Sequence, residues 1–282
     1  KRYSGRLNLT HKLSDKLNMG INMLISKTKQ NTANNGSSYN NPFYNVNRNT
    51  WPTETPYDEN GDYKYELVNA GYYNLLREYE LMERTADIFR SMSTGYIEYK
   101  PYDFLTIKST NSYDWINSDY YGYSSPLSRS GESVGGYVYN ENAQRERLST
   151  SNMVTFDKTY NDVHHVNILG AFEAEQYKSD NFSAEGSGLP NESLSVLSVT
   201  AVPTSVSGSS SGNAMISYLS RANYDFDNKY YLSGSIRRDG SSRLGLNERW
   251  ANFWSISGAW RLTQEDFMAE DKFINDLKLR AS

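Results

Sequence analysis

The sequence contains no cysteine, and histidine is scarce, with three residues in a chain of 282. The absence of cysteine excludes a disulfide scaffold and a thiolate metal site. His164 and His165 are adjacent, so in a strand they point to opposite faces and cannot bind one metal ion together. A histidine-rich metal centre or a histidine-activated nucleophile therefore has little support, and we expect no enzyme and no cofactor.

Long hydrophobic runs are also missing. Mean hydropathy is −0.74, although aromatic residues make up 14% of the chain. No stretch approaches the roughly 20 apolar residues that a membrane-spanning helix needs. A water-filled barrel needs only every second residue to be apolar, so a membrane could still be crossed by strands. The net charge of −4 offers no general basic character, and we expect no nucleic-acid partner.

A period-two alternation of apolar and polar residues runs through most of the chain, which favours strands over helices. The predicted strands cover 3–13, 17–25, 87–99, 104–117, 146–157, 163–176, 215–225, 230–237, 252–262 and a last strand that begins near 276. Their connections alternate between short turns and long polar loops, as in outer-membrane barrels. The sequence thus predicts an all-β, antiparallel meander of about ten strands that forms part of a larger transmembrane barrel.

Charged residues inside the predicted strands fall on one face. They are Arg6, Lys12, Arg90, Glu98, Lys108, Asp114, Arg147, Asp157, Glu173, Glu175, Arg221, Asp225, Arg237 and Arg261. The opposite face is apolar and ends in aromatic residues, which is typical of the aromatic girdles of membrane barrels. A soluble β-sandwich with one solvated face satisfies the same pattern, so a carbohydrate-binding or adhesin module stays open as the alternative.

Exposed aromatic residues in the predicted long loops are the candidate contacts for a substrate or a partner. They are Tyr39, Phe43, Tyr44, Trp51, Tyr57, Tyr63, Tyr65, Tyr120, Tyr121 and Tyr123. Such rings can stack on sugar faces or anchor a protein partner, and they can equally pack the loops against one another.

Two charged motifs are weaker candidates. Arg237, Arg238, Asp239 and Gly240 could form a charged substrate site, but Asp-Gly favours a turn, in which the hydroxyls of Ser241–Ser242 satisfy backbone amides. Glu173 and Glu175 share a face and could be imagined as a glycosidase pair. Nothing nearby in sequence supplies the apolar pocket that would raise one carboxyl pKa, so solvated charges are the simpler interpretation.

The last sixty or so residues carry a specific motif series. It consists of Tyr224-Asp-Phe-Asp-Asn-Lys-Tyr-Tyr-Leu232, Ile236-Arg-Arg-Asp-Gly-Ser-Ser-Arg243, Trp250-Ala-Asn-Phe-Trp-Ser255, Ala259-Trp-Arg-Leu-Thr263 and Leu277-Lys-Leu-Arg-Ala-Ser282. In order and spacing this closely resembles the mid-barrel signature of SusC/RagA-type TonB-dependent outer-membrane transporters. Leu244 stands where that family usually has Phe, and Trp254 where it usually has Pro; both remain apolar.

The resemblance implies that residues 1–282 are one partial domain of a barrel with about 22 strands. A plug domain and the remaining strands would lie outside this stretch. It also implies an outer-membrane location in contact with lipid, import of glycan fragments or peptides, a SusD-like surface lipoprotein as partner, and energy from TonB acting on the plug.

Overall fold

The computed structural model describes residues 1–32, 41, 50–67, 74–268 and 273–282. Its strands are β1 (Arg2–Ser14), β2 (Leu17–Asn31), β3 (Met82–Tyr102), β4 (Leu105–Ser124), β5 (Tyr137–Tyr160), β6 (His164–Ser187), β7 (Val202–Phe226), β8 (Tyr230–Ser241), β9 (Trp250–Arg261) and β10 (Lys278–Ala281). One short helix, α1 (Leu75–Glu80), precedes β3. Within the described residues, no helix has the length and apolar character needed to span a bilayer.

The ten strands form a single antiparallel sheet in sequential order from β1 to β10. This confirms the predicted meander. A β-sandwich requires two sheets packed face to face, so the soluble alternative does not fit the described chain.

The turns at one rim of the sheet are short and have residue types suited to their backbone. Asn161 and Asp162 have φ values of 50° and 60°, and Asp227 and Asn228 have 54° and 55°. Asn and Asp tolerate this left-handed region better than other non-glycine residues, and paired positive φ angles match the twist of hairpin strands. The long connections lie together at the opposite rim, called the loop rim below.

The strand register assigns each residue to a face, because residues directly opposite in an antiparallel pair point to the same side. Glu98 lies opposite Lys108, and Asp114 lies opposite Arg147. Following the register from β1 to β10 places all the charged residues predicted to share a face on one side of the sheet. This side is called the polar face.

Eight of the strands, β2 to β9, extend further toward the loop rim than the alternation predicts. At and beyond the predicted ends both faces are polar. Asp87, at the end of one predicted strand, and Asp119, beyond the end of the next, lie opposite each other on the side away from the polar face. Alternation therefore disappears while backbone pairing continues, as far as Met82 opposite Ser124. One-sided charge holds inside the predicted spans and ends at their loop-rim ends, where Asp87 and Glu146 lie on the side away from the polar face.

Two position predictions were consequently wrong. Tyr120, Tyr121 and Tyr123 lie in β4 and not in a loop. Arg237–Ser241 continue β8, and a turn begins only at Ser242. The Asp-Gly pair is held in the sheet because Asp239 pairs with Ala251 and Gly240 pairs with Trp250.

The face opposite the polar face carries an apolar band between two rows of aromatic rings. The row near the short turns includes Phe104 and Phe156, 5.5 Å apart, and Tyr230 and Trp260, 6.3 Å apart. The row near the loop rim includes the contacts Phe89–Trp115 at 5.5 Å, Phe172–Tyr218 at 5.4 Å and Tyr218–Trp250 at 6.3 Å.

The height of this band fits a membrane crossing. It covers 105–115 on β4, 164–172 on β6 and 218–226 on β7, close to the roughly 9–11 residues that a tilted strand needs. Trp115 on β4 pairs with Glu146 on β5, which in turn pairs with Lys178 on β6. The aromatic boundary on β6 is nevertheless at Phe172, closer to the short turns than Lys178. The boundary thus crosses the register diagonally, as strands inclined by about 35–45° require.

Buried apolar side chains lie at the loop rim and not along the apolar band. In the described residues they are Leu67, Leu75, Ala86, Val138, Ala184 and Leu189. Within the band, Leu232, Ile236 and Ile256 are 53%, 57% and 60% exposed. No described segment of the chain covers this apolar surface.

Candidate functional site

An ionic cluster occupies the centre of the polar face on β6, β7 and β8. Arg237 donates from Nε to both carboxylate oxygens of Asp239, at 2.7 and 3.0 Å. Its Nη2 donates to Glu173 at 3.3 Å and to the Ser217 hydroxyl at 3.0 Å. The period of two brings Arg237 and Asp239 to one side, and the register brings Glu173 and Ser217 to meet them.

A shallow depression of about 330 Å³ lies beside this cluster. Hydroxyl and charged side chains of the polar face dominate its lining: Thr110, Ser112, Ser149, Ser151, Glu173, Glu175, Ser217 and Arg237. Such a surface presents both hydrogen-bond donors and acceptors, which suits sugars and peptide groups.

The paired glutamates do not form a catalytic carboxyl pair. Glu173 is bound by Arg237, and Glu175 lies 3.8 Å from Arg147. Both carboxylates are thus held by arginine partners on a hydrophilic surface, whereas a glycosidase acid lies in an apolar pocket.

Other ion pairs continue the polar face away from the cluster. Arg90 binds Asp114 through two contacts at 2.9 and 2.7 Å, the fork geometry that gives arginine pairs their strength. Nearer the short turns, Asp157 accepts a hydrogen bond from Asn167 at 2.6 Å and lies 3.0 Å from His165. These ion pairs extend the charged character of this face beyond the cluster.

The second candidate surface is the loop rim, where the connection between β2 and β3 forms a small hairpin. Asp58 accepts hydrogen bonds from the backbone amides of Asn60 and Asp62 at 2.8 and 3.0 Å, and Gly61 has a positive φ of 88°. Tyr57 and Tyr63 close it as a β-bridge, with their rings stacked at 5.2 Å.

Asn74 fastens this hairpin to α1. Its side chain is 1% exposed, and Nδ2 donates to the carbonyl oxygens of Pro56 and Lys64, both at 2.8 Å. Tyr63 also donates its hydroxyl to Glu80 at 2.9 Å. That bond to a carboxylate is the main reason that the pKa of Tyr63 is raised to about 12.

Glu78, on the same helix, fastens the connection between β4 and β5. It is 4% exposed and accepts a hydrogen bond from the Arg129 backbone amide at 2.9 Å. Arg129 also reaches Glu66 at 2.9 Å, and Arg77 donates to the Leu127 carbonyl at 2.8 Å. A buried carboxylate thus joins two loops that are distant in sequence.

The connection between β6 and β7 joins the same assembly. Gly188 donates its amide to the Val134 carbonyl at 3.0 Å, and Leu189 donates to Gly135 at 2.7 Å. Tyr121 donates its hydroxyl to the Ser195 carbonyl at 2.7 Å, and Tyr123 to Glu192 at 2.8 Å. These three connections, called the loop platform, pack as one unit.

The predicted aromatic contacts have different environments on this platform. The hydroxyls of Tyr63, Tyr65, Tyr121 and Tyr123 are bonded to Glu80, Glu132, Ser195 and Glu192, so these rings pack the loops. Trp51, Tyr57 and Tyr120 remain 60%, 42% and 38% exposed. Tyr39, Phe43 and Tyr44 lie outside the described residues.

No protein-family model matches the chain. TonB-dependent receptor P39 of Formosa agariphila is 28% identical over 291 residues, covering 100% of the chain and 27% of the relative. TonB-dependent receptor SusC of Bacteroides thetaiotaomicron is 38% identical over 68 residues, or 24% of the chain and 7% of SusC. The solved RagAB peptide transporter superposes with a TM-score of 0.82 over 99% of the chain and 32% of its own, at 23% identity. By sequence this chain resembles TonB-dependent receptors, SusC among them, and by fold it resembles the RagAB peptide transporter.

This resemblance to TonB-dependent receptors extends over a part of each relative. The chain spans 27% and 28% of the two Formosa agariphila receptors that match it end to end. The open form of the ferric-catecholate receptor Fiu shares the fold more distantly, with a TM-score of 0.51 at 12% identity. These matched proteins are named as receptors and transporters.

Sequence reasoning missed the polar groups that fasten the loops of this TonB-dependent-receptor-like chain. Asn74, Glu78 and Arg129 lie in stretches without alternation and far apart in sequence. The available signal was Asn74 directly before Leu75–Glu80, since Asn is a favoured residue at the start of a helix.

Proposed function

We propose that this chain forms part of the wall of an outer-membrane, TonB-dependent nutrient transporter. The observation that carries the proposal is the division of the sheet into an ionic face and an apolar band of membrane height between aromatic rows. That division needs lipid on one side and water on the other. A soluble protein would cover the apolar band with its own chain.

In this proposal the polar face lines the passage of the complete barrel. The Arg237 cluster and the adjacent serine hydroxyls provide reversible hydrogen bonds to a polar solute, for which glycan fragments and peptides are suitable classes. A SusD-like lipoprotein docks over the loop platform at the extracellular side. TonB supplies energy through a plug domain of the whole protein.

Matched arginine substitutions in the full-length transporter test the placement in the membrane. Ile21 and Ile256 lie in the middle of the apolar band, and their neighbours Asn22 and Ser257 lie on the polar face. Ile256→Arg should lose about 2–4 kcal/mol of folding free energy in lipid vesicles, and Ser257→Arg much less. The pair Ile21→Arg and Asn22→Arg should repeat this difference. Equal losses within each pair would contradict the assigned faces.

Uptake measurements test the transport role. Arg237→Ala should reduce uptake of the cognate oligosaccharide or peptide at unchanged outer-membrane abundance. The solute loses a charged hydrogen-bond donor, and Glu173 loses its arginine partner. Loss of TonB should abolish uptake by the unaltered protein. Uptake that persists without TonB would refute the proposed function.

The exposed loop aromatics are tested through the lipoprotein. Trp51→Ala should weaken co-purification of the SusD-like partner, since Trp51 is open at the loop rim. Phe267→Ala is the control, because Phe267 is 67% exposed at the opposite rim. Unchanged co-purification with both variants would mean that Trp51 has no part in docking.

A further inference from the structure

Arg238 differs from its neighbours in the charged motif on β8. Arg237 and Asp239 point to the polar face, whereas Arg238 and Gly240 point to the other side of the strand. Arg238 is therefore a cation on the side of the sheet that carries the apolar band. The residues directly opposite it are Tyr218 on β7 and Asn252 on β9, neither of which is acidic.

The guanidinium of Arg238 is held by an aromatic ring. It lies 4.9 Å from the ring centre of Trp250. Gly240 makes this possible, since a Cβ at position 240 would lie 2.9 Å from atoms of the Trp250 indole. Trp250 in turn stacks at 6.3 Å on Tyr218, in the aromatic row near the loop rim.

The position of Arg238 coincides with the edge of the apolar band. Below it on the same side lie Ile236 and Trp254, both exposed. Above it on β7 the outward residues are Ile216 and then Ala214, Gly212 and Ser210. Within the described residues Arg238 makes no ion pair and no hydrogen bond, so its charge is uncompensated at the boundary between apolar and polar surface.

We propose that Arg238, stacked on Trp250 above Gly240, binds the phosphate group of a lipid in the outer leaflet of the membrane. The inference rests on the proposed outer-membrane location. An unpaired guanidinium is complementary in charge to phosphate and can donate to it through two parallel hydrogen bonds. The indole restricts the rotamers of Arg238 and directs its free edge outward, at the level where headgroups lie.

Lipid titration of the full-length transporter tests this site. The protein is purified in detergent, stripped of lipid, and titrated with lipid A, with dephosphorylated lipid A and with inorganic phosphate, using native mass spectrometry. Arg238→Gln should lower the affinity for lipid A about tenfold or more, because a charged hydrogen-bonded contact is lost. Gly240→Val, which displaces Trp250, should also lower it. Arg221→Gln is the matched control, since Arg221 lies on the polar face.

Three outcomes would overturn the proposal: equal affinity of Arg238→Gln and the unaltered protein, equal binding of the dephosphorylated lipid, or binding of inorganic phosphate as tight as that of lipid A. The melting temperature of each variant shows whether it is folded, and Arg238→Lys provides a second, milder variant. Absence of the unaltered protein from the outer-membrane fraction would instead refute the proposed function itself.

Discussion

Asn74 allows the stability of the loop platform to be tested at one side chain. In Asn74→Ala, the carbonyls of Pro56 and Lys64 each lose a donor at 2.8 Å. The site is 1% exposed, so water does not readily replace the amide. An unpaired buried polar group costs about 1–3 kcal/mol, so two carbonyls with partial relaxation cost about 2–4 kcal/mol.

This cost should appear as local opening and not as loss of the sheet, because no strand residue bonds to the Asn74 side chain. Amide hydrogen exchange of the full-length protein should show protection of 56–64 reduced by about 30-fold to 900-fold, the equivalent of 2–4 kcal/mol. Asn60→Ala is the control, since Asn60 is exposed in the same hairpin. Unchanged protection in Asn74→Ala would refute the fastening role, as would faster exchange throughout the strands.

Two further predictions concern the loop rim. Gly136→Ala should open the junction between the β4–β5 and β6–β7 connections, because Gly136 has a φ of +79° and an added Cβ would lie 2.9 Å from Pro126 and Leu189. We expect local hydrogen exchange to show that the free energy of opening falls by about 1–3 kcal/mol. Gly245→Ala is the control, because the space around Gly245 is open, and an effect of Gly136→Ala no larger than that of the control would contradict the prediction. Tyr63 should remain protonated until about pH 12. The stabilisation from its bond to Glu80 is therefore full below pH 10 and declines between pH 10 and 12, where the tyrosine deprotonates. The phenolate absorbance that is missing in Tyr63→Phe should have that high midpoint, and a midpoint near 10 would contradict the bond.

The fold was largely predictable from the sequence where one face meets apolar surroundings. Between the aromatic rows, alternation of apolar and charged residues fixes both strand and face, so Glu173, Asp114 and Arg237 were assigned correctly. Beyond the band both faces of the sheet are solvated, so apolar and polar residues no longer alternate and the sequence does not indicate a strand. The strand around Tyr121 was therefore mistaken for a loop, although its backbone pairs with β3.

The binding surfaces were less predictable, because they depend on contacts between distant segments. The Asp239-Gly240 pair has the local preference of a turn, but its pairing with β9 overrides that preference. The separation of Arg237 from Arg238 could have been found by extending the period of two through Ser241. The contact of Glu78 with Arg129 has no local signal at all.

Cysteine scanning of β9 tests the central claim, that one face of this sheet meets lipid and the other meets water. The chain contributes no cysteine of its own, so single cysteines at 253–258 report individually in a full-length transporter, in vesicles, from which any other cysteines have been removed. Positions 253, 255 and 257 should react with a water-soluble maleimide, while 254, 256 and 258 should be protected and should contact lipid-borne quenchers. Reactivity that does not alternate along the strand, or quenching at the odd positions, would contradict the account.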